Sequence, residues 1–282
     1  MLTSIIALLA RILSNPIANL LQKRLSQENS AILINLYSYL FLSLFCTYPA
    51  LRNSWHYGLN YWGYVALAGI LCTLGSVCLI KALQCGEMSL LGPINSYKCI
   101  VGLILGWLLL AEVPTVTGII GVVLIIWGSW YIFDTTKEGF SFSLFKRKDI
   151  VLRFCALFFT GCEAVVLKKI ILMSSVSESF MLWCFSGFIF TLVLMLIFRV
   201  KFSLFTRKNV GVCFLIAVCL GIMQMSTNIV FKRIDVGLSL ALFQLSSIVA
   251  VIFGYKVFHE HNILKKLLGS VIMIIGSCFI LL

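Results

Sequence analysis

The residues that could do chemistry in this chain are few, and they sit inside apolar segments. The stretch GPINSYKCIVGLILGWLLLAE, residues 92–112, carries Asn95, Tyr97 and Lys98 near its start. A lysine at a helix centre in a bilayer costs roughly 2.5–3.5 kcal/mol on insertion scales. It must therefore face a buried partner, a water-filled cavity or a substrate. In the first segment Arg11, Asn15 and Asn19 are four apart and form one polar stripe, with Pro16 inside it. Thr160 and Glu163 share a face, and Glu163 is the one acidic residue deep within any apolar segment. Such a carboxylate can hold a substrate cation, exchange a proton or neutralise a buried cation. Gln224, Asn228 and Lys232 repeat the four-residue step, and Gln244 and Ser247 lie one segment later.

Each of these has a structural reading beside the functional one. Arg11 can snorkel from a shallow start, and Glu163 can pair with a buried cation. The amides can act as interhelical glue worth about 0.6 kcal/mol each. Trp183, Tyr37 and Tyr97 are the aromatic residues that could wall a cavity. His259-Glu260-His261 reads as an interfacial turn rather than a metal site, and the GxxxG of Gly102 and Gly106 as close helix packing. Neither a Walker loop, a GxSxG elbow nor an HExxH pair occurs, so ATP-driven pumping and hydrolysis are unsupported and no cofactor is expected.

The elements that must position these residues follow from composition. Of 282 residues, 61% are hydrophobic and 11% charged, too little charge to cover a soluble globule. The net charge of +12 comes from cations clustered at the ends of apolar segments, which suits a membrane-flanking role and not nucleic acid. The eleven cysteines have no CxxC spacing and read as small apolar filler. The opening MLTSIIALLARILSNP reads as a retained first span and not as a signal peptide.

Ten apolar segments recur, at about 2–22, 31–51, 61–83, 89–111, 115–133, 151–171, 179–199, 210–232, 237–258 and 263–282. They are continuously apolar and do not alternate, so helices are expected and not barrel strands. The two halves also resemble each other. LIKALQCGEMS aligns with VFKRIDVGLS, and AEVPTVTGIIGVVLIIWGSW with HEHNILKKLLGSVIMIIGSC, pairing Glu112 with Glu260, Gly121 with Gly269 and Gly128 with Gly276. Five spans per repeat is odd, so the second repeat enters from the opposite face, an architecture that puts a substrate site at the midplane between halves. The expected fold is an all-α membrane protein of ten transmembrane helices, two inverted five-helix repeats around a central cavity. The repeats are 1–135 and 149–282, joined by a loop at 136–148.

This duplicated pattern, with an apolar helix ending in Glu112 or Glu260 and then a Gly-rich span, resembles the drug/metabolite transporter superfamily and, within it, the EamA-type transporters. The resemblance covers essentially the whole chain. It implies a cavity lined by spans one, three, four, six, eight and nine that opens alternately to each side. The small multidrug resistance branch carries a glutamate eight residues before a lysine in its first helix. Counting back eight from Lys23 and Lys169 gives Asn15 and Gly161, so Glu163 stands two positions away from that place. Lys98 also resembles the fourth-helix lysine that the nucleotide-sugar transporter branch links to anionic substrates, without that branch's flanking sequence. The family pattern implies cytoplasmic termini, whereas the loops after spans one, five, seven and nine hold most of the cations, which favours both termini outside.

The function expected is secondary-active transport of a small polar or charged metabolite, an anion or a zwitterion such as an amino acid, by alternating access. Coupled protons or substrate exchange would supply the energy, and the setting would be a cell membrane of the bacterial inner-membrane type. Arg11, Asn15, Asn19, Asn95, Tyr97, Lys98, Glu163, Gln224, Asn228 and Gln244 are the candidate binding residues. An exporter of cationic drugs or quaternary amines, using Glu163 and aromatic walls, is the alternative. A lipid-linked flippase or a non-transporting scaffold is the rival from another class.

Overall fold

In hydrocarbon a backbone N–H or C=O without an internal partner costs several kcal/mol, so apolar segments close their own hydrogen bonds as helices. The computed structural model describes residues 2–101, 104, 115–136 and 141–280, and every regular element among them is helical. The long helices of the first half are α1 (Leu2–Ser26), α2 (Ala31–Leu51) and α3 (Leu59–Cys85). A one-turn α4 (Met88–Leu91) and a 3₁₀ turn (Pro93–Ser96) follow, and helical backbone resumes over 97–101 before α5 (Val116–Phe133). The second half contains α6 (Lys148–Met173), α7 (Val176–Ile197), α8 (Arg207–Arg233), α9 (Val236–Phe243), α10 (Ser246–Phe258) and α11 (Ile263–Phe279).

Eight segments among the described residues are long and apolar enough to cross a membrane, counting 236–258 as one, and the chain is a multi-pass membrane protein. The expected fourth span runs out of the described residues, as do Glu112, Gly102 and Gly106. Large side chains on the outer faces, such as Leu9 and Leu13 of α1 and Ile119 and Val123 of α5, are each more than half exposed. A soluble protein would bury such residues, and a lipid-facing one has no need to.

The packing pairs the two halves element by element. The most extensive contacts are α3 against α6, α1 against α8, α5 against α11 and α2 against α7. The α5–α11 seam depends on glycine. A Cβ on Gly121 would lie 2.5 Å from the Gly276 carbonyl oxygen, and one on Gly276 would lie 2.7 Å from that of Gly121. Gly128 and Gly269 stand in the same reciprocal relation, at 2.8 and 2.5 Å. Close backbone approach of this kind lets helices gain dispersion where lipid offers no hydrophobic drive.

Two segments expected as single helices are broken. Pro93 offers no N–H to the Ser89 carbonyl, and the Asn95 N–H turns to Gly92 O at 3.1 Å. In the ninth span α9 ends at Phe243 and α10 starts at Ser246, with Gln244 N–H on Ala241 O at 3.0 Å. Pro16, in contrast, sits within a continuous α1.

Candidate functional site

One freed carbonyl at each break is satisfied by a side chain, and those side chains begin the site. Leu91 O accepts from Nε of Arg153 at 2.8 Å, and Phe243 O accepts from the Ser246 hydroxyl at 2.7 Å. Arg153 Nη2 then donates to Asn95 Oδ1 at 3.0 Å, and Asn95 Nδ2 donates to Gln244 Oε1 at 3.0 Å. One chain of hydrogen bonds therefore ties α6 to the break in the fourth span and to the break in the ninth.

A cavity of about 140 Å³ lies against this chain. Its wall comes from α1, α3, the fourth span, α6, α8 and the α9–α10 segment, with Tyr39 of α2 and Trp183 of α7 added. Among the described residues three cations and one carboxylate face it: Arg11, Lys98, Arg153 and Glu163. Their environments differ. Arg153 is 7% exposed and committed to Leu91 O and Asn95. Arg11 lies over the Phe243 ring, its guanidinium carbon 4.0 Å from the centroid, and its Nε and Nη1 are buried without a hydrogen-bond partner among the described residues. Among the described residues Lys98 makes no hydrogen bond or ion pair, though it is within electrostatic range of Glu163. Glu163 is 7% exposed, and its Oε1 accepts from the indole N–H of Trp183 at 3.0 Å. Beside them the Tyr39 hydroxyl and the Cys72 thiol are 3.0 Å apart.

Of the candidate residues, Arg11, Asn15, Asn19, Asn95, Lys98, Glu163 and Gln224 line this cavity. Three are placed elsewhere. The Tyr97 hydroxyl pairs with that of Ser129 on α5 at 2.8 Å, and its ring meets Phe154 edge-on. Asn228 accepts from Gln224 Nε2 at 2.9 Å and donates to Val176 O and the Ser179 hydroxyl, so it joins α8 to α7. Gln244 is fully buried behind Asn95. Tyr37 stacks on Phe205 at 4.6 Å and is not a cavity wall. Arg153 is the residue the sequence reading passes over. It looks like a flanking cation when the span starts at 151. Because α6 starts at Lys148, Arg153 is in fact more than a turn inside.

The cavity borders a buried ion pair. Gln22 lines it, and the next residue, Lys23, donates to Glu260 Oε1 at 2.8 Å and to Gly86 O at 2.9 Å. The same carboxylate accepts the backbone N–H groups of Met88 and Ser89, each at 2.8 Å, and so caps α4. Glu260 lies in the turn between α10 and α11 and is only 8% exposed there. Its neighbour His259 takes a left-handed conformation, φ 53°, that ends α10 and turns the chain inward. Lys266, 1% exposed, reinforces the same end by donating to Glu87 and, at 2.8 Å, to the Ser89 hydroxyl. Burial alone would push the Glu260 carboxyl up, but the bonds from Lys23 and Ser89 outweigh it and hold the group below its usual value. Among the described residues no group of three or more metal-ligating side chains occurs.

A profile of the EamA-like transporter family matches residues 2–134 and again 147–282. No curated protein matches the chain at a significant level. Among solved structures, one described only as "Crystal structure of protein" is similar over 99% of this chain and 94% of its own, with a TM-score of 0.65 and 13% identity, a likeness of fold alone.

Proposed function

The chain belongs to the EamA-like transporter family, whose members are membrane transporters and not enzymes, and we propose that this one is a secondary-active carrier of a small anion or zwitterion. The observation that carries the reading is the unspent cationic capacity of the cavity. Among the described residues two nitrogens of Arg11 and the ammonium of Lys98 have no hydrogen-bond acceptor, while a single carboxylate, Glu163, lines the cavity with them. Leaving such donors buried is costly unless something supplies acceptors. An anionic group on a ligand does so, and Glu163 with the Trp183 N–H beside it gives an ammonium group a counter-charge.

The reading includes the full topology: ten spans in two inverted repeats, 1–135 and 149–282, joined at 136–148. The reciprocal pairing of α1 with α8 and α3 with α6 supports it, because exchanging the repeats turns one pair into the other. So do the helix breaks at Pro93–Ser96 and Gln244–Leu245. Interrupted helices in corresponding positions of two halves point to a binding site between them. Alternating access then amounts to the repeats rocking about the cavity. The Lys23–Glu260 end is the closed side, and transport is driven by exchange or by coupled protons.

Uptake into proteoliposomes of succinate, glutamate and tetraethylammonium separates the possibilities. The reading expects succinate or glutamate to be carried, and carriage to be lost in Lys98→Ala. Carriage of tetraethylammonium alone, abolished by Glu163→Gln and indifferent to Lys98→Ala, would overturn it in favour of a cation exporter whose wall is Tyr39 and Trp183.

A further inference from the structure

One short motif occurs twice in this chain. Residues 142–149 read FSLFKRKD and residues 202–209 read FSLFTRKN, identical at six of eight positions. Duplication of the halves does not produce the match. In the two profile matches, 2–134 and 147–282, α7 stands second as α2 does, and the loop after α2 reads RNSWHYG. The motif recurs in two loops that the repeat does not relate, so a shared environment is the better explanation.

The structure supplies that environment, because both copies lie at one end of the helix bundle. Tyr37, near the start of α2, donates to Ser203 O at 3.3 Å. Lys23, near the end of α1, reaches Gly86 O after α3, and a Cβ on Gly86 would lie 2.5 Å from Asp149 Oδ2 at the start of α6. The first copy forms a 3₁₀ turn, Phe142–Lys146, with Leu144 buried and Phe145 exposed beside Phe154. The second runs without regular structure up to α8. Its Phe205 is buried on Tyr37, while Phe202 and Leu204 are exposed, the latter at 84%. Each copy therefore pins one apolar side chain in the protein and presents others outward beside cations.

The charge at this end is unspent. Exposed Lys146, Lys148, Arg199, Lys201, Arg207 and Lys208 make no ion pair among the described residues. The acids Glu87, Asp134, Asp149 and Glu260 are already taken by Lys266, Lys265, Arg147 and Lys23, which leaves Glu28 over among the described residues. Arg207 and Lys208 also stand in the first turn of α8 with no acid beside them. Cations there oppose the helix dipole, so helix stability does not account for them. At the opposite end Arg52 lies over Tyr48, Lys169 reaches the Tyr64 hydroxyl and Arg233 the Thr3 hydroxyl, so those cations are engaged within the protein.

We propose that the two FSLF-x-R-K loops grip the anionic leaflet of the membrane: Phe145, Phe202 and Leu204 enter the boundary between headgroups and acyl chains, and Lys146, Lys148, Arg207 and Lys208 meet lipid phosphates. Apolar side chains interleaved with cations suit that boundary, and the anionic leaflet is the cytoplasmic one. The basic end therefore faces the cytoplasm, and the start of α1 and the end of α11 lie on the outer side, as the distribution of cations favours. The proposal is independent of what the cavity carries.

Two measurements test it. In native mass spectrometry, detergent-purified protein is offered equimolar phosphatidylglycerol and phosphatidylcholine. The wild type is expected to retain phosphatidylglycerol preferentially. Lys146→Gln with Lys148→Gln, and Arg207→Gln with Lys208→Gln, should each lower that preference at least about fivefold, the ratio one cation near an anionic surface is worth. Arg147 stays in place because it is paired with Asp149. Arg52→Gln with Lys232→Gln, at the opposite end, should leave the preference unchanged. In a bacterial inner membrane, alkaline phosphatase fused to the C-terminus should be active, since its disulfides form only on the oxidising outer side. Equal retention of the two lipids by the wild type, or wild-type preference in both paired variants, would overturn the grip. An inactive phosphatase, with a green fluorescent protein fluorescing at the same junction, would overturn the orientation. The fusions need no substitution, so they keep the proposal falsifiable should a paired variant fail to fold.

Discussion

Glu260→Gln is the sharpest probe of the buried ion pair beside the cavity. The wild-type carboxylate accepts from Lys23 Nζ, Met88 N and Ser89 N, all at 2.8 Å, on a residue only 8% exposed. Glutamine keeps the shape and one acceptor oxygen. Its amide nitrogen would meet a main-chain N–H that also donates, and Lys23 would lose its only counter-charge among the described residues. Breaking one side of a buried pair typically costs about 3–5 kcal/mol, most of it the penalty for the charge left behind. The Gly86 carbonyl and the Phe258 ring, 4.5 Å from Lys23 Nζ, remain to hold the ammonium, so the lower end of that range is expected. Reversible unfolding in detergent, followed for the wild type, Glu260→Gln, Lys23→Met and the double variant, gives the coupling directly. The double variant should lose clearly less than the two singles added together. A loss below about 1 kcal/mol for Glu260→Gln, a surface-pair value, would refute the reasoning.

The same experiment has a pH arm with a definite sign. The folded-state pKa of Glu260 lies below its ordinary 4.5. Its contribution is therefore fully present above about pH 4.5 and is lost as pH falls through the folded value. Wild type and Glu260→Gln should differ most near neutrality and converge in acid. A gap that widens on acidification would contradict the assigned ion pair.

Other outcomes follow from named contacts. Gly276→Val drives a side chain into the Gly121 carbonyl and Leu124, and should destabilise the protein by at least about 1–3 kcal/mol in the same unfolding assay. Trp183→Phe removes the N–H from a buried carboxylate and should cost about 1.5–3 kcal/mol, with glutamate affected more than succinate in uptake because Glu163 serves the ammonium. Arg153→Lys retains a charge but cannot donate to Leu91 O and Asn95 together. It should impair transport almost as much as Arg153→Met, and full activity of the lysine variant would show that charge alone matters.

Much of this architecture was legible in the chain because hydrocarbon leaves so few options. Continuous apolar segments must be helices, and a glutamate or lysine inside one must turn inward, which places Arg11, Asn15, Asn19, Lys98 and Glu163 on the cavity before any coordinates are known. The repeat, readable as Gly121 with Gly269 and Gly128 with Gly276, anticipates which glycines matter. It does not reveal that Gly121 faces Gly276 and Gly128 faces Gly269, since a seam between two helices is a relation no single segment contains.

Partnership is what the tertiary structure decided. Tyr97 and Asn228 have the same polarity and helical spacing as the cavity residues, yet Ser129 and Ser179 claim them, because rotation about the helix axis is set by packing and not by local pattern. Glu260 is polar and next to two histidines at a segment end, which locally reads as solvent. Only the approach of α4 and Lys23 supplies the donors that make its burial favourable. Arg153 is the strongest case. Its sequence position says flanking cation, but the carbonyl it satisfies, Leu91 O, is freed in another span where the Asn95 N–H turns to Gly92 O, so its role exists only once the two are brought together. Sequence determines which groups cannot face lipid. The fold determines which of them keep a partner, and Arg11 and Ser247, left without a full set among the described residues, line one cavity.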